Sequence, residues 1–270
     1  MSRRTSRRSS NLLLGAYCTL VGLFILVPTL VVVPLSFSSV RSLKFPPPGW
    51  STQWYEEFFT SPQWRDSALT SLRIAGMVTV VATALGTMAA LALVNSRRRW
   101  TSAARAFLIA PMIVPGVVIA VGMYYVFLRW QLTQTFAGFV IAHTVLAIPI
   151  VVITVGASLQ SFDMQLVRAS QSLGAGPLAT FRTVTLPLIL PGVLGGALFA
   201  FLTSFDESIV ALFMSGPEMR TLPIQIFQSV TSSLDPTIAA ASTVLLGLTT
   251  LVVMAFGLLT YLRNKAESHG

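Results

Sequence analysis

Few residues in this sequence could do chemistry, and their types limit what that chemistry can be. Nine Asp and Glu, two His and one Cys are spread over 270 residues. Cys18 has no second cysteine with which to build a disulfide or a thiolate metal site. His143 and His269 have no His/Asp/Glu cluster around them in sequence, and no nucleophile–base set is evident, so no catalytic and no metal residue is expected. The adjacent acids Asp206 and Glu207 stand out, because they interrupt the apolar run FLTSFDESIVALFMSGP. A carboxylate in lipid costs a few kcal/mol unless it faces water, a partner or a protected interior. The pair could line a cation-attracting pathway, or cap a helix break through Ser204 or Ser208. His143 fits best as an interhelical hydrogen-bonding residue. With Asp206, Glu207 and Pro115 it makes a candidate set for a translocation pathway.

The elements that must hold these residues are membrane helices. The chain is 54% hydrophobic and 10% charged, whereas soluble domains are about a quarter charged. Uncharged stretches run over Asn11–Val40, Ile74–Ser96, Ala106–Leu128, Trp130–Phe162, Thr183–Phe205 and Pro236–Leu262. About 20 apolar residues cross the hydrocarbon, so each suffices for a span. The predicted spans are 12–36, 70–94, 105–128, 135–157, 189–213 and 238–261. The fold class is therefore all-α, a polytopic bundle of six membrane helices. A basic segment 1–11 precedes a single transmembrane domain 12–262, and a tail 263–270 follows. The apolar run behind the basic N-terminus is too long for a signal peptide and lacks its cleavage site, so it is expected to be retained as the first span.

Charge orients the bundle. With the N-terminus inside, the inner segments hold Arg3, Arg4, Arg7, Arg8, Arg97, Arg98, Arg99, Arg105, Arg168, Arg182, Arg263 and Lys265. The outer ones hold Arg41, Lys44, Arg65, Arg129 and Arg220, with Arg73 near a span edge. Twelve against five is the positive-inside bias, which puts both termini in the cytoplasm. The net charge of +9 then concerns topology and anionic lipid, and no nucleic-acid partner is expected.

Between the first two spans, Pro46–Pro48 reads as stiff and extended. Ser51 or Thr52 can cap a short helix reaching Phe59, whose Trp50, Trp54, Tyr55, Phe58 and Phe59 suit the membrane–water boundary. That helix could seal the bundle or dock an outer partner. Pro111 and Pro115 predict a bent third span that packs against its neighbours or lines a pathway. Pro217 and Pro223 bound turns around the amphipathic IQIFQSV, which is expected near the outer gate or an outer partner.

The largest inner segment, 158–188, reads as a helical knuckle. MQLVRASQSL places Leu166, Ala169 and Leu173 on one face. Gly174, Ala175 and Gly176 break it, Pro177 starts a second helix, and that helix is expected to stop before Pro187. A compact, mostly uncharged knuckle has surface to bury, so it is expected to be a docking element rather than a solvated loop.

The same segment carries a family resemblance. Arg168-Ala169-Ser170, Gly174 four residues on, and Val184-x-Leu186-Pro187 after nine more have the spacing of the cytoplasmic signature of permease subunits in binding-protein-dependent ABC importers. FPPPGWSTQWYEEFF, APMIVPGVVIAVGM, IAHTVLAIPIVVITVGASLQSFD and LPLILPGVLGGALFAFLTSFDESIVALFMSGP extend the likeness, and within the family the chain resembles the spermidine/putrescine permease group. That resemblance implies a type I importer permease in the bacterial inner membrane, with a coupling helix between spans four and five. Arg168, Ala169, Ser170, Gly174, Ala175, Leu186 and Pro187 would meet the ATPase. It also implies a dimer of ATPase subunits that bind the ATP and Mg, a second and different permease subunit, and an external solute-binding protein. The solute would be a polyamine, with an opine, an aminoalkylphosphonate or an amino-acid-like solute as alternatives. Arg168 stands where the family has an acid and Ser170 where it has alanine, so the ATPase contact there implies a compensating acid or weaker coupling. No G-x-x-x-x-G-K-[ST] phosphate loop occurs, so ATP is expected on another chain. A self-sufficient secondary transporter would show inverted repeats and midplane ionisable residues, which this sequence lacks.

Overall fold

A computed structural model describes residues 2–96, 100–161, 163–232 and 235–267. Arg97, Arg98, Arg99 and His269 lie outside the described residues, as do the side chains of Arg3, Arg4, Arg7, Arg8, Arg263 and Lys265. The described residues form helices α1 Ser2–Ser36, α2 Gln53–Thr60, α3 Pro62–Asn95, α4 Trp100–Ile113, α5 Gly116–Arg129 and α6 Phe136–Gln160. There follow α7 Gln165–Ser172, α8 Pro177–Thr180, a π-helical turn Phe181–Thr185, α9 Leu186–Phe205, α10 Ile209–Met214, α11 Leu222–Ser232 and α12 Thr237–Glu267. Among the described residues, four stretches are long and apolar enough to cross a membrane: Pro62–Val94, Phe136–Gln160, Pro177–Phe205 and Thr237–Leu262. Two bent pairs, Leu14–Val27 with Thr29–Ser36 and Trp100–Ile113 with Gly116–Arg129, bring the number to six when each is one span.

The chain divides into two units, residues 1–64 with 226–248, and residues 65–225 with 249–270. In the first, the loop after α1 is tied back onto the end of that helix. Trp54 Nε1 donates to Ser38 O at 2.6 Å, and Tyr55 OH lies 2.7 Å from Ser36 Oγ. Phe58 is buried against Trp64. Of the five aromatic residues expected at the boundary, Trp50 and Phe59 are the strongly exposed ones. Ser51, not Thr52, makes the cap contact, its Oγ accepting from Gln53 N at 3.2 Å.

The second unit is built around α6. Its Val151 is fully buried between two close approaches. A Cβ on Gly86 of α3 would stand 2.7 Å from Val151 Cβ, and one on Gly196 of α9 would stand 3.3 Å from Val151 Cγ1 and 2.8 Å from Thr154 Oγ1. Small residues let membrane helices approach because no hydrophobic force separates them from lipid. α6 packs along α9 and also meets α4 and α10.

Four sequence expectations change. The third span is not one bent helix over 105–128: α4 and α5 meet at 102°. Pro115 has no N–H to donate and disfavours continued helix at the residue before it, and with φ −54° and ψ 131° it stands as the extended residue ahead of α5. The fifth helix does not run over 189–213 but ends at Phe205, and α10 begins after a three-residue break. The second arm of the knuckle does not stop before Pro187. Leu186 N donates to Phe181 O across the π turn, and Pro187 follows at the start of α9, where the hydrogen-bond register shifted by the π turn accommodates its absent N–H. Pro223 likewise sits in the first turn of α11 instead of bounding a turn.

The clasp on Val151 predicts an asymmetric glycine test. Gly196→Val should destabilise the folded protein by about 1–3 kcal/mol through overpacking, lowering its melting temperature in detergent. Gly195→Val, where an added Cβ meets nothing within 4 Å, should melt like wild type. Equal melting of the two variants would remove the clasp.

Candidate functional site

Two helix breaks meet in the second unit. One is Val114–Pro115 between α4 and α5, and the other is Asp206–Ser208 between α9 and α10. A Cβ on Gly116 would stand 3.2 Å from Ile209 Cδ1, so the first residue of α5 lies against the first residue of α10. Each break frees backbone groups that lipid cannot satisfy, and such backbone is tolerated only inside protein or beside water.

Glu207 satisfies the break in its own helix. Its Oε1 accepts from Ile209 N and Val210 N, both at 2.9 Å, and its Oε2 accepts from Ala211 N at 2.8 Å. A carboxylate is the strongest acceptor for such orphaned donors. The serine contacts anticipated for the acids are absent among the described hydrogen bonds, since Ser204 serves His143 instead. His143 Nδ1 lies 3.0 Å from Ser204 Oγ, tying α6 to the last turn of α9. Its Nε2 makes no hydrogen bond and lies 3.7 Å from Glu207 Oε2. The imidazole is fully buried and the Glu207 side chain nearly so, at 0% and 11% exposure. Asp206 points the other way in character: it is exposed and has no side-chain partner among the described residues.

The structure thus brings together His143, Glu207, Ser204 and the Pro115 break, while separating the roles of the paired acids. Ser204 was missed in sequence as the partner of His143, and only a histidine on one apolar span and a serine on another hinted at it. Chemically the arrangement can fix a helix junction and present one free carboxylate. Among the described residues no group of three His, Cys, Asp or Glu could hold a metal.

The knuckle lies elsewhere in the same unit. Gly174 takes φ +85°, a backbone that a side chain would strain. Ala175 N donates to Ser170 O, and Ser170 Oγ lies 3.1 Å from Thr180 Oγ1, holding the two arms together. Leu166, Leu173 and Leu178 are exposed, Leu173 at 88%. Arg168 and Ala169 are also exposed, Ala175 and Leu186 are half-buried, and Pro187 is exposed on the continuing arm.

Residues 82–266 match the family described as binding-protein-dependent transport system inner membrane component. The chain is 33% identical over 231 residues to the putrescine transport system permease protein PotI of Escherichia coli (strain K12), covering 83% of this chain and 82% of that one. It is 29% identical over 261 residues to the spermidine/putrescine transport system permease protein PotC of Shigella flexneri, covering 96% and 97%. Its fold is similar to a chain of a bacterial alginate ABC transporter solved with a pentasaccharide-bound periplasmic protein, at a TM-score of 0.74 and 15% identity, over 95% and 96% of the two chains.

The two acids should separate in stability. Glu207→Ala removes the acceptor of three backbone donors and should cost about 2 kcal/mol, as strong caps do, whereas Asp206→Asn should cost less than 0.5 kcal/mol, as exposed changes do. Thermal unfolding of the detergent-purified variants reads the difference, and equal losses would mean that Glu207 is not the cap.

Proposed function

The chain belongs to the family of binding-protein-dependent transport system inner membrane components, and from that premise we propose that it forms the path by which a polyamine crosses the membrane. It is a permease subunit of an ABC importer, which works with a solute-binding protein and an ATPase. The polyamine assignment is supported by the putrescine and spermidine/putrescine permeases among its relatives. It is also supported by the exposed, unpaired Asp206, a fixed negative charge that would attract an ammonium group.

One observation carries the coupling mechanism: the second arm of the knuckle runs through the π turn into α9 without a stop. Leu166, Leu173 and Leu178 are the apolar surface for the ATPase, with Arg168 meeting an acid on it. ATP and Mg are bound by a pair of ATPase subunits, and a second, different permease completes the pathway. The arginine bias puts both termini and the knuckle in the cytoplasm. Closure of the ATPases would move α7 and α8, and α9 would carry that displacement along α6 to the junction at Glu207. There the His143–Ser204 contact and the adjacent Pro115 break would shift between two packings, opening the path to alternate sides. The loop around α11 is assigned to the outer gate, where the binding protein delivers solute.

The test is reconstitution in proteoliposomes with the ATPase, the second permease and the binding protein. Wild type should give ATP-driven uptake of labelled putrescine or spermidine. Leu173→Asp with Leu178→Asp should fold, lose co-purifying ATPase, and lower uptake at least about tenfold, as loss of a buried interface anchor does. Undiminished assembly and uptake would sink the coupling assignment, and ATP-driven uptake of some other solute alone would sink the polyamine assignment.

A further inference from the structure

Where the ends of α3 and α6 lie beside α4, the second unit holds a cavity of about 260 Å³. Leu93 and Val94 of α3, Ile109 of α4 and Val152 of α6 wall it, and Gly156 leaves it open, since an added Cβ there meets nothing within 4 Å. One cationic side chain lines it, Arg105 of α4. Arg105 is exposed and has no hydrogen bond or ion pair among the described residues. No Asp or Glu occurs anywhere in positions 67–162 of the sequence, whereas Arg97, Arg98, Arg99 and Arg105 fall within nine positions of one another. The exposed Trp100 opens α4, a residue type that settles at the membrane–water boundary.

We propose that this cavity binds an anionic phospholipid, with the Arg105 guanidinium on the phosphate and the apolar walls around part of one acyl chain. Three features select that occupant. The volume falls below the roughly 300–1,000 Å³ of a drug-sized ligand site, which suits a stretch of hydrocarbon chain. A planar guanidinium pairs with phosphate oxygens in two parallel bonds. A helix of a second permease laid over the cavity would bury Arg105 against walls that offer it no acid, and an uncompensated buried charge is strongly unfavourable. Basic pockets between membrane helices on the cytoplasmic side take anionic headgroups for the same electrostatic reason. The proposed orientation decides only which leaflet supplies the lipid, because the site itself is read by binding.

Native mass spectrometry of the assembled transporter, released from detergent after incubation with phosphatidylglycerol or phosphatidylcholine, tests this. Phosphatidylglycerol should be retained in preference to phosphatidylcholine. Arg105→Gln should lower that retention about tenfold, the loss of one good charged contact, and Arg105→Lys should restore part of it. Gly156→Leu, which fills the cavity while keeping the arginine, should lower retention as well, with the transporter still assembled. Equal retention of the two lipids, or no effect of Arg105→Gln, would overturn the proposal. Displacement of phosphatidylglycerol by millimolar inorganic phosphate together with an inert Gly156→Leu would also overturn it, leaving a free-phosphate site. Disulfide cross-linking of Gly156→Cys to the second permease would overturn it by placing a protein helix there. These readouts do not use transport, so they stand or fall apart from the solute and the coupling mechanism.

Discussion

Close contact along α6 governs the second unit. Val151 is caught between Gly86 and Gly196, and the added Cβ positions show that α3 and α9 approach within a methyl group of it. Lipid tails are as apolar as leucine, so membrane helices are held by shape and not by water expulsion. A clasp of this kind holds α9 in register on α6. Everything attached to α9 inherits that register: the knuckle at its start, through the π turn, and the Glu207 junction at its end.

The junction is where the helical rule is broken, and its polar residues are arranged accordingly. Glu207 takes up three backbone donors at the start of α10. His143 uses one ring nitrogen on Ser204 and leaves the other near the carboxylate without a hydrogen bond. A buried nitrogen without a partner is costly, so a rearrangement that supplies one would be favoured at that point. Pro115 makes the neighbouring break by removing a donor instead of capping one. Two breaks made by opposite means thus lie side by side, which suits a place where helices must shift without exposing backbone to lipid.

Much of this was legible in the sequence, and the parts that were not have physical reasons. Apolar run length and scarcity of charge are one-dimensional signals, so the helices and their membrane character could be read directly. Gly174 and Pro177 marked the knuckle because each has one preferred backbone role. The end of α9 at Phe205 was hidden because Ile209–Met214 continues the same apolar composition. The pairing of His143 with Ser204 joins two helices far apart in sequence, and no local pattern encodes it. Pro187 read as a stop because a proline inside a regular α-helix is one, whereas a π turn ahead of it shifts the hydrogen-bond register. The 102° angle at Pro115 is a tertiary outcome, since a proline alone is compatible with a mild kink.

Under the proposed mechanism, force at the knuckle would reach the Glu207 junction because α8, the π turn and α9 form one uninterrupted arm. Inserting three glycines between Thr183 and Val184 would uncouple the arm while leaving both ends intact. ATP-driven uptake in proteoliposomes, measured beside co-purification of the ATPase, is the most direct test. The arm predicts that the ATPase stays bound and uptake is lost. Retained uptake with the glycine insertion in place would contradict it.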